Sequence, residues 1–245
     1  VKTVAIIAAG GVGARLDVAG GKQLLAIAGK PVAAWAVQAV ADARGVDEVI
    51  VACDPKRVAV YEEQLRAAVT TDKVLRFVGG GATRSASIAA ALEHVAAEAE
   101  LILIHDGARP LVTPELVDAA LDALQAAGEE IVGVIVGHPV SDTLKRVTKG
   151  PVPLVTIAET IPREELWQVQ TPQVFRAAPL RGAYAQAART GRSATDDAGL
   201  LEEAGSQLAL LTGPRDNLKV TVPEDRGLIE ALLRARTREE EMRGL

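Results

Sequence analysis

Aromatic side chains are scarce in this chain: Phe, Tyr and Trp together make up 2% of its 245 residues. A core with so few rings must pack from Val, Leu, Ile and Ala, and a hydrophobic fraction of 49% supplies enough of them. Cysteine is almost absent too. Cys53 stands alone, which excludes an intrachain disulfide framework and a cysteine-based zinc cluster. Its expected role is that of a small apolar residue at a strand end. Positive charge is not in excess, since 27 Lys and Arg face 32 Asp and Glu for a net charge of −5. That balance argues against a nucleic-acid binder working through overall charge. No apolar run is long enough to span a bilayer. The sequence opens directly on strand-like residues, with no signal peptide visible. The expectation is a soluble, cytoplasmic protein with neither nucleic-acid nor membrane partners.

What is present is glycine in telling places. Val4-Ala5-Ile6-Ile7 reads as a buried strand, and Ala8-Ala9-Gly10-Gly11-Val12-Gly13-Ala14-Arg15 follows it. Glycines at 10, 11 and 13 allow a sharp turn and close approach of the backbone to another group. Successive N–H groups in such a loop form a concave anion site. Arg15 and Lys22 add two positive charges beside it, so the loop suits a polyphosphate. It is not a Walker loop, because Gly21-Lys22 is followed by Gln23 rather than Ser or Thr. It is not the dinucleotide fingerprint either, because Leu16 stands where the third glycine belongs. Read by itself, the stretch also fits a plain strand-to-helix turn with two solvated cations.

An alternation of strands and helices follows. A helix is expected over Pro31 to Val40, with Pro in its first turn. Next come a strand at Val49–Cys53 and a helix from Asp54-Pro55 to about Val69. A strand at Val74–Val78 is broken by Gly79-Gly80-Gly81, and a helix runs from about Thr83 to Ala97. A fourth strand, Leu101–Ile104, ends at His105-Asp106-Gly107-Ala108-Arg109-Pro110. Thr113-Pro114-Glu115 starts another helix with a capping hydroxyl, a first-position Pro and an acid in the first turn. Ile131–Val136 is a fifth strand. The pattern implies an α/β fold, a mostly parallel Rossmann-like sheet with helices on both faces. Ligands in such sheets bind outside the carboxyl ends of the strands. The Gly-rich loop, the triple glycine and the Asp106 turn all fall there.

From Pro139 to about Thr160 the rhythm changes. Val140 to Val147 alternates like an exposed strand, Lys149-Gly150-Pro151 makes a turn, and Val152 to Ile157 can pair back. An isolated two-stranded arm is marginal in water, so it calls for a partner surface, most economically a second copy of the chain. The alternation then resumes with a helix over Arg176 to Arg189, Thr195 as an N-cap, and Asp196 and Asp197 as helix-start acids. A strand at Gln207–Leu211, a short strand at Asn217–Val220 and a final helix to about Glu241 complete the chain. No repeat or linker interrupts it, so residues 1–245 read as one domain with an arm at about 139–160.

Eight motifs occur in order: Gly11-Val12-Gly13-Ala14-Arg15; Lys22-Gln23; Gly80-Gly81-Ala82-Thr83-Arg84 with Ser87; His105-Asp106-Gly107-Ala108-Arg109-Pro110; Asp142-Thr143-Leu144-Lys145-Arg146; Gln170-Thr171-Pro172-Gln173; Thr195-Asp196-Asp197-Ala198; and Asp216-Asn217-Leu218-Lys219-Val220-Thr221. The set, over nearly the whole chain, resembles the 2-C-methyl-D-erythritol 4-phosphate cytidylyltransferase family of non-mevalonate isoprenoid synthesis. The ribitol-5-phosphate cytidylyltransferases, or enzymes for another polyol phosphate, are the same-class alternative, and a catalytically silent nucleotide-binding homologue is the other. The His105 to Arg109 run looks more like the erythritol enzymes. Ala8, Gly10, Gly21 and Gly107 depart from the family pattern, which usually has Pro, Ala, Pro and Ala there. No charged group is lost by these changes.

The resemblance implies transfer of a cytidylyl group from CTP to a sugar-alcohol phosphate, with pyrophosphate released. It implies Mg²⁺ as cofactor and a homodimer formed through the arm. Arg15 and Lys22 match residues that stabilise the transition state at the triphosphate, and Lys219 and Arg163 match those that orient the acceptor phosphate. Arg163 and Thr143 match arm-side residues that reach a neighbouring subunit's site. Ala8, Ala9, Gly10, Gly11, Gly13, Gly80, Arg84 and Ser87 are expected around the nucleotide. Asp106, Arg109, Thr143, Thr171, Thr195 and Thr221 are expected around the acceptor. Asp106 and Asp216 are the carboxylates expected near the metal, which binds mostly through CTP phosphates. Simpler readings stand beside these: solvated cations for the Lys and Arg residues, a turn-forming Asp106, and Arg84 and Ser87 capping the helix after them. His105 reads as a packed strand-end residue rather than a base.

Overall fold

The Val4–Ile7 run lies inside strand β1 (Thr3–Ala8), whose two faces feed two different cores. In the computed structural model of the chain, residues 1–10, 21–148, 154–191 and 196–243 are described. After β1 come a one-turn 3-10 helix (Lys22–Leu24), the short strands β2 (Ala26–Ile27) and β3 (Lys30–Pro31), and helix α1 (Val32–Asp42). Then follow β4 (Glu48–Cys53), α2 (Val58–Ala68), β5 (Val74–Gly79), α3 (Arg84–Leu92), β6 (Leu101–Asp106), α4 (Pro114–Ala126) and β7 (Ile131–Pro139). The arm strands are β8 (Leu144–Val147) and β9 (Ile157–Ile161). The remainder is β10 (Trp167–Arg176), α5 (Ala177–Thr190), α6 (Asp197–Glu203), β11 (Gln207–Thr212) and α7 (Asp225–Arg243).

Seven strands form the central sheet in the order β11-β7-β10-β6-β1-β4-β5. All neighbours pair in parallel except β10, which is antiparallel to both β6 and β7. The fold is therefore α/β and mostly parallel. Because side chains alternate across a strand, Ala5 and Ile7 pack with α1, α2 and α4 on one face. Val4 and Ile6 pack with α3, α5 and α6 on the other. Ile6, Ile7, Ile102 and Ile104 are fully buried, each contributing about 1.5–3 kcal/mol relative to exposure. Helix α7 closes a third cluster, with Ile229 and Leu233 against Ile27, Val32, Leu111 and Val220. No helix among the described residues is long and apolar enough to cross a membrane.

Several local expectations change. Helix α3 ends at Leu92 rather than Ala97, and the Arg181 guanidinium donates to the carbonyls of Leu92, Val95 and Ala96 at and just beyond that end. Asp196, not Thr195, caps α6: its carboxylate accepts from the Gly199 N–H at 3.0 Å. A carboxylate there also meets the positive end of the helix dipole. Residues 217–220 form no strand. They are tied down instead by the buried Asn217, which donates to the Thr171 carbonyl at 2.8 Å, and by the Val220 N–H on the Ala108 carbonyl at 2.8 Å.

In the arm, the returning strand is β9 at 157–161, set by the pairing of Lys145 with Thr160 and Arg146 with Glu159; of the expected 152–157 run, residues 154–156 form no strand and 152–153 lie outside the described residues. The arm leaves the sheet beside Trp167, which lies opposite Pro139. Val147, Leu154 and Ile157 are exposed on the arm and its connection.

Candidate active site

A cavity of about 720 Å³ opens at the carboxyl ends of β1, β4, β5 and β6, where the strand order reverses about β1. Ala8, Gly10, Lys22 and Gln23 line one side, Asp54 to Lys56 and Gly80 to Arg84 another, and Ser87, Asp106, Ala108 and Lys219 the rest. Ala9 is fully buried just behind, its N–H on the Ala52 carbonyl at 2.7 Å. The triple-glycine turn packs too tightly for side chains. A Cβ on Gly80 would stand 2.6 Å from Ser87 Oγ and 3.1 Å from the Cys53 carbonyl. Ser87 Oγ accepts from the Gly81 N–H at 3.1 Å and donates to the Thr83 carbonyl at 2.9 Å. Thr83, not Arg84 or Ser87, caps α3.

Asp106 is the electrostatic centre. Its Oδ1 accepts from Arg84 Nε at 2.9 Å and its Oδ2 from Lys219 Nζ at 2.6 Å. Burial by itself would raise this carboxyl, but the Arg84 and Lys219 charges outweigh it and hold it well below the usual carboxylate range. Its N–H donates to Thr171 Oγ1 at 3.0 Å. Thr171 is buried, and its hydroxyl also meets His105 Nδ1 at 3.0 Å. It braces Asp106 from behind. His105 is fully buried, and burial pushes its pKa down to about 4. It is a neutral, packed ring and no general base. Burial lifts the Cys53 thiol to about 11, so it is no nucleophile either.

Two chain segments bring lysines in. Lys22 Nζ donates to the Val220 carbonyl at 2.9 Å. Gly21 before it holds φ at 83°, a backbone closed to proline, so the departure from the family's Pro has a conformational counterpart. Thr221 steadies the Lys219 segment: its hydroxyl donates to the Lys219 carbonyl at 3.2 Å and its N–H to Asp225 at 2.6 Å. Arg109 lies beside the cavity with its guanidinium on the Asn217 carbonyl at 2.8 Å. Burial lowers its pKa, and its Nε is buried without a partner.

Other expected residues lie elsewhere. Asp216 does not line the cavity and pairs with Arg236 at 3.4 Å. Thr143 and Arg163 are exposed at the arm, Arg163 donating to the Ser141 carbonyl. Gly11, Gly13, Arg15 and Thr195 lie outside the described residues.

Two features escaped sequence reasoning. Asp197, a helix-start acid as its position suggests, is also fully buried and accepts from Arg84 Nη1 at 2.6 Å. Tyr184 also donates to it, at 2.5 Å. The pair Arg84–Asp197 spans 113 positions, so no local spacing signals it. Gln23 is 3% exposed at the cavity wall with Oε1 unpartnered; it was visible only as the residue after Lys22.

Among the described residues, no group of three or more His, Cys, Asp or Glu could hold a metal ion. Asp106 faces the cavity with both oxygens on cations. That donor set does not build a resident metal site, but it fits a hydrated divalent ion carried in by phosphates and met by one carboxylate. The chemistry lining the cavity is cationic, with Lys22, Arg84 and Lys219 beside the Gly80 turn, and neither the buried His105 nor the buried Cys53 lines it.

Fold and cavity together define an α/β nucleotidyltransferase, and solved structures agree. The crystal structure of 2-C-methyl-D-erythritol 4-phosphate cytidylyltransferase from Thermus thermophilus is 35% identical, with a TM-score of 0.74, over 96% of this chain and 100% of that one. That of 4-diphosphocytidyl-2C-methyl-D-erythritol synthase from Anaerococcus prevotii is 25% identical, with a TM-score of 0.80, over 95% and 96%. The family model for 2-C-methyl-D-erythritol 4-phosphate cytidylyltransferase matches residues 3–235, and the chain belongs to that family. The enzyme of that name from Syntrophotalea carbinolica is 38% identical over 229 residues, 93% of this chain and 94% of the relative. Its namesake from Thermosynechococcus vestitus is 36% identical over 236 residues, 96% and 97%.

Proposed function

We propose that this enzyme joins CTP and 2-C-methyl-D-erythritol 4-phosphate, releasing pyrophosphate, in non-mevalonate isoprenoid precursor synthesis. The observation that carries the reading is the convergence of Lys22, Lys219, Arg84, Asp106 and the Gly80 turn on one cavity, in a chain whose family bears that name. A phosphate oxygen of the acceptor attacks the α-phosphorus of CTP. The bond to the bridging oxygen breaks, and pyrophosphate leaves with the electron pair. The attacker is already an anion, so the chain needs no base. Positioning and cationic stabilisation carry the rate.

Lys22, with Arg15, is assigned to the charge growing on the leaving pyrophosphate, and Lys219 to the acceptor phosphate. The Ala8–Gly10 backbone, the Gly80 turn, Arg84 and Ser87 are assigned to the nucleotide. Their tight packing around Gly80 favours a pyrimidine over a purine. Mg²⁺ neutralises triphosphate charge when bound, and Asp106 is the residue here that would hold it.

Val147, Leu154 and Ile157, exposed on the arm, support a homodimer in which arms cover one another by an isologous contact. Arg163 and Thr143 then serve the partner's acceptor site. The use of CTP supports a cytoplasmic location for the enzyme, read as one domain with an arm.

The test is a pyrophosphate-release assay with CTP and Mg²⁺ across a panel of polyol phosphates. The expected result is turnover with methylerythritol phosphate far above ribitol 5-phosphate, little with ATP, and none after chelation by EDTA. A preference for ribitol phosphate, or equal use of CTP and ATP, would overturn the assignment.

A further inference from the structure

Behind the cavity runs a chain of buried charge whose far half touches no lining surface. Tyr184 of α5 donates to Asp197 Oδ1 at 2.5 Å, and Arg84 Nη1 donates to Asp197 Oδ2 at 2.6 Å. Arg84 Nε donates to Asp106 Oδ1 at 2.9 Å. Asp197 is 0% and Tyr184 8% exposed, and neither lines the cavity, whereas Arg84 does. The guanidinium is thus gripped on two edges, from α6 and from the end of β6. Nη2 is the nitrogen with no protein partner among the described residues.

We infer that Asp197 and Tyr184 are positioning residues for nucleotide binding, fixing the Arg84 guanidinium so that Nη2 is presented to the nucleotide in one orientation. Burying a carboxylate is unfavourable even when it is paired, and a well-packed apolar group would serve stability at least as well. What an apolar group cannot do is direct a planar donor fork. A free arginine samples many rotamers and loses that freedom each time it binds. Held between Asp106 and Asp197, Arg84 is ordered before the ligand arrives. Tyr184 completes the arrangement: its hydroxyl donates to the remaining Asp197 oxygen, so the carboxylate does not turn away from Arg84. The ion pair of Asp118 with Arg44 shows the contrast, since there the arginine is 83% exposed and holds nothing toward the cavity.

The inference rests on the proposed CTP-dependent activity, and the test separates the two. Full-length wild type, Tyr184→Phe and Asp197→Asn are compared in pyrophosphate release with CTP varied at saturating methylerythritol phosphate. Binding lost equally from ground and transition states raises KM and spares kcat. The expected rise in KM for CTP is roughly tenfold in Asp197→Asn and roughly threefold in Tyr184→Phe, with kcat within about twofold. A purely structural role would lower Tm and the yield of folded enzyme while leaving KM for CTP unchanged. Should Asp197→Asn fail to fold, Tyr184→Phe decides, together with the same change in an Arg84→Lys background. There the threefold effect should vanish, because the clamp no longer holds its fork. Wild-type KM in folded Tyr184→Phe, or an undiminished effect in Arg84→Lys, overturns the inference. A wild type that releases no pyrophosphate from CTP overturns the activity and the inference with it.

Discussion

Acidification should remove a defined part of the stability through one residue, His105. The ring is fully buried, with Nε2 at 3.2 Å from the Arg109 carbonyl and Nδ1 at 3.0 Å from the Thr171 hydroxyl. A carbonyl can only accept, so Nε2 carries the hydrogen and Nδ1 receives the Thr171 O–H. That is a neutral imidazole, and burial holds it neutral down to about 4, against 6.5 for an ordinary histidine. Between those values the unfolded chain takes up a proton that the folded chain refuses. The contribution is therefore fully present above pH 6.5 and is lost as pH falls toward 4. At about 1.4 kcal/mol for each tenfold change in proton affinity, the loss is roughly 3 kcal/mol, a large share of the 5–15 kcal/mol typical of a domain.

The assay is urea unfolding followed by circular dichroism at several pH values from 8 to about 4, on wild type and His105→Gln. Carboxylates titrate in both proteins and cancel in the difference. Asp106, held far below the usual range, stays ionised throughout. The stability of wild type minus that of the variant should fall by roughly 3 kcal/mol from the top of that range to the bottom. A flat difference would refute both the neutral ring and the tautomer assigned to it.

Other outcomes follow from the site. Lys22→Ala and Arg15→Ala should keep the wild-type Tm and lose about 10²–10³-fold in kcat, as removal of a transition-state donor does; pyrophosphate release reads this. Gly80→Ala places a methyl 2.6 Å from Ser87 Oγ and 3.1 Å from the Cys53 carbonyl, so the turn must open, and titration calorimetry should show CTP affinity falling at least about tenfold. Inactive Arg163→Ala and Lys219→Ala chains, unfolded and refolded together, should recover about a quarter of wild-type activity if each site draws on two subunits, because half the random dimers then carry one intact site. Recovery of nothing, with mixed dimers confirmed by mass, would place Arg163 in its own chain's site.

The parallel half of the sheet was legible because β1, β4 and β6 carry continuous apolar runs and β5, at the edge, carries one broken only by Arg76, and the ligand face follows from that topology. Strand β10 was not legible. Its run, Trp-Gln-Val-Gln-Thr-Pro-Gln-Val-Phe-Arg, holds Pro172, which argues against a central strand. The structure tolerates it because the ladder with β7 already breaks between Val169 and Gln173, where Pro172 has no hydrogen bond to withhold. Asp106 was legible as a residue of the ligand face from its place at the end of β6, and it lines the cavity. Its partners were not, since Arg84 and Lys219 come from distant segments and meet it only in three dimensions. Asp196 and Asp197 show the limit of local rules: adjacent acids at a helix start look alike, yet one caps the helix and the other is buried beneath Arg84.

The near absence of rings has an optical consequence. Only two tryptophans occur in the chain, so emission excited beyond the absorption of its two tyrosines comes from two addresses. Trp35 donates from its indole to the Ile27 carbonyl at 2.9 Å, close after the segment that carries Lys22. Trp167 is half-buried at the root of the arm, opposite Pro139. Replacing Trp35 by Phe would leave a single tryptophan, at the root of the arm. The wavelength of that emitter would follow what the arm touches, with no dye attached.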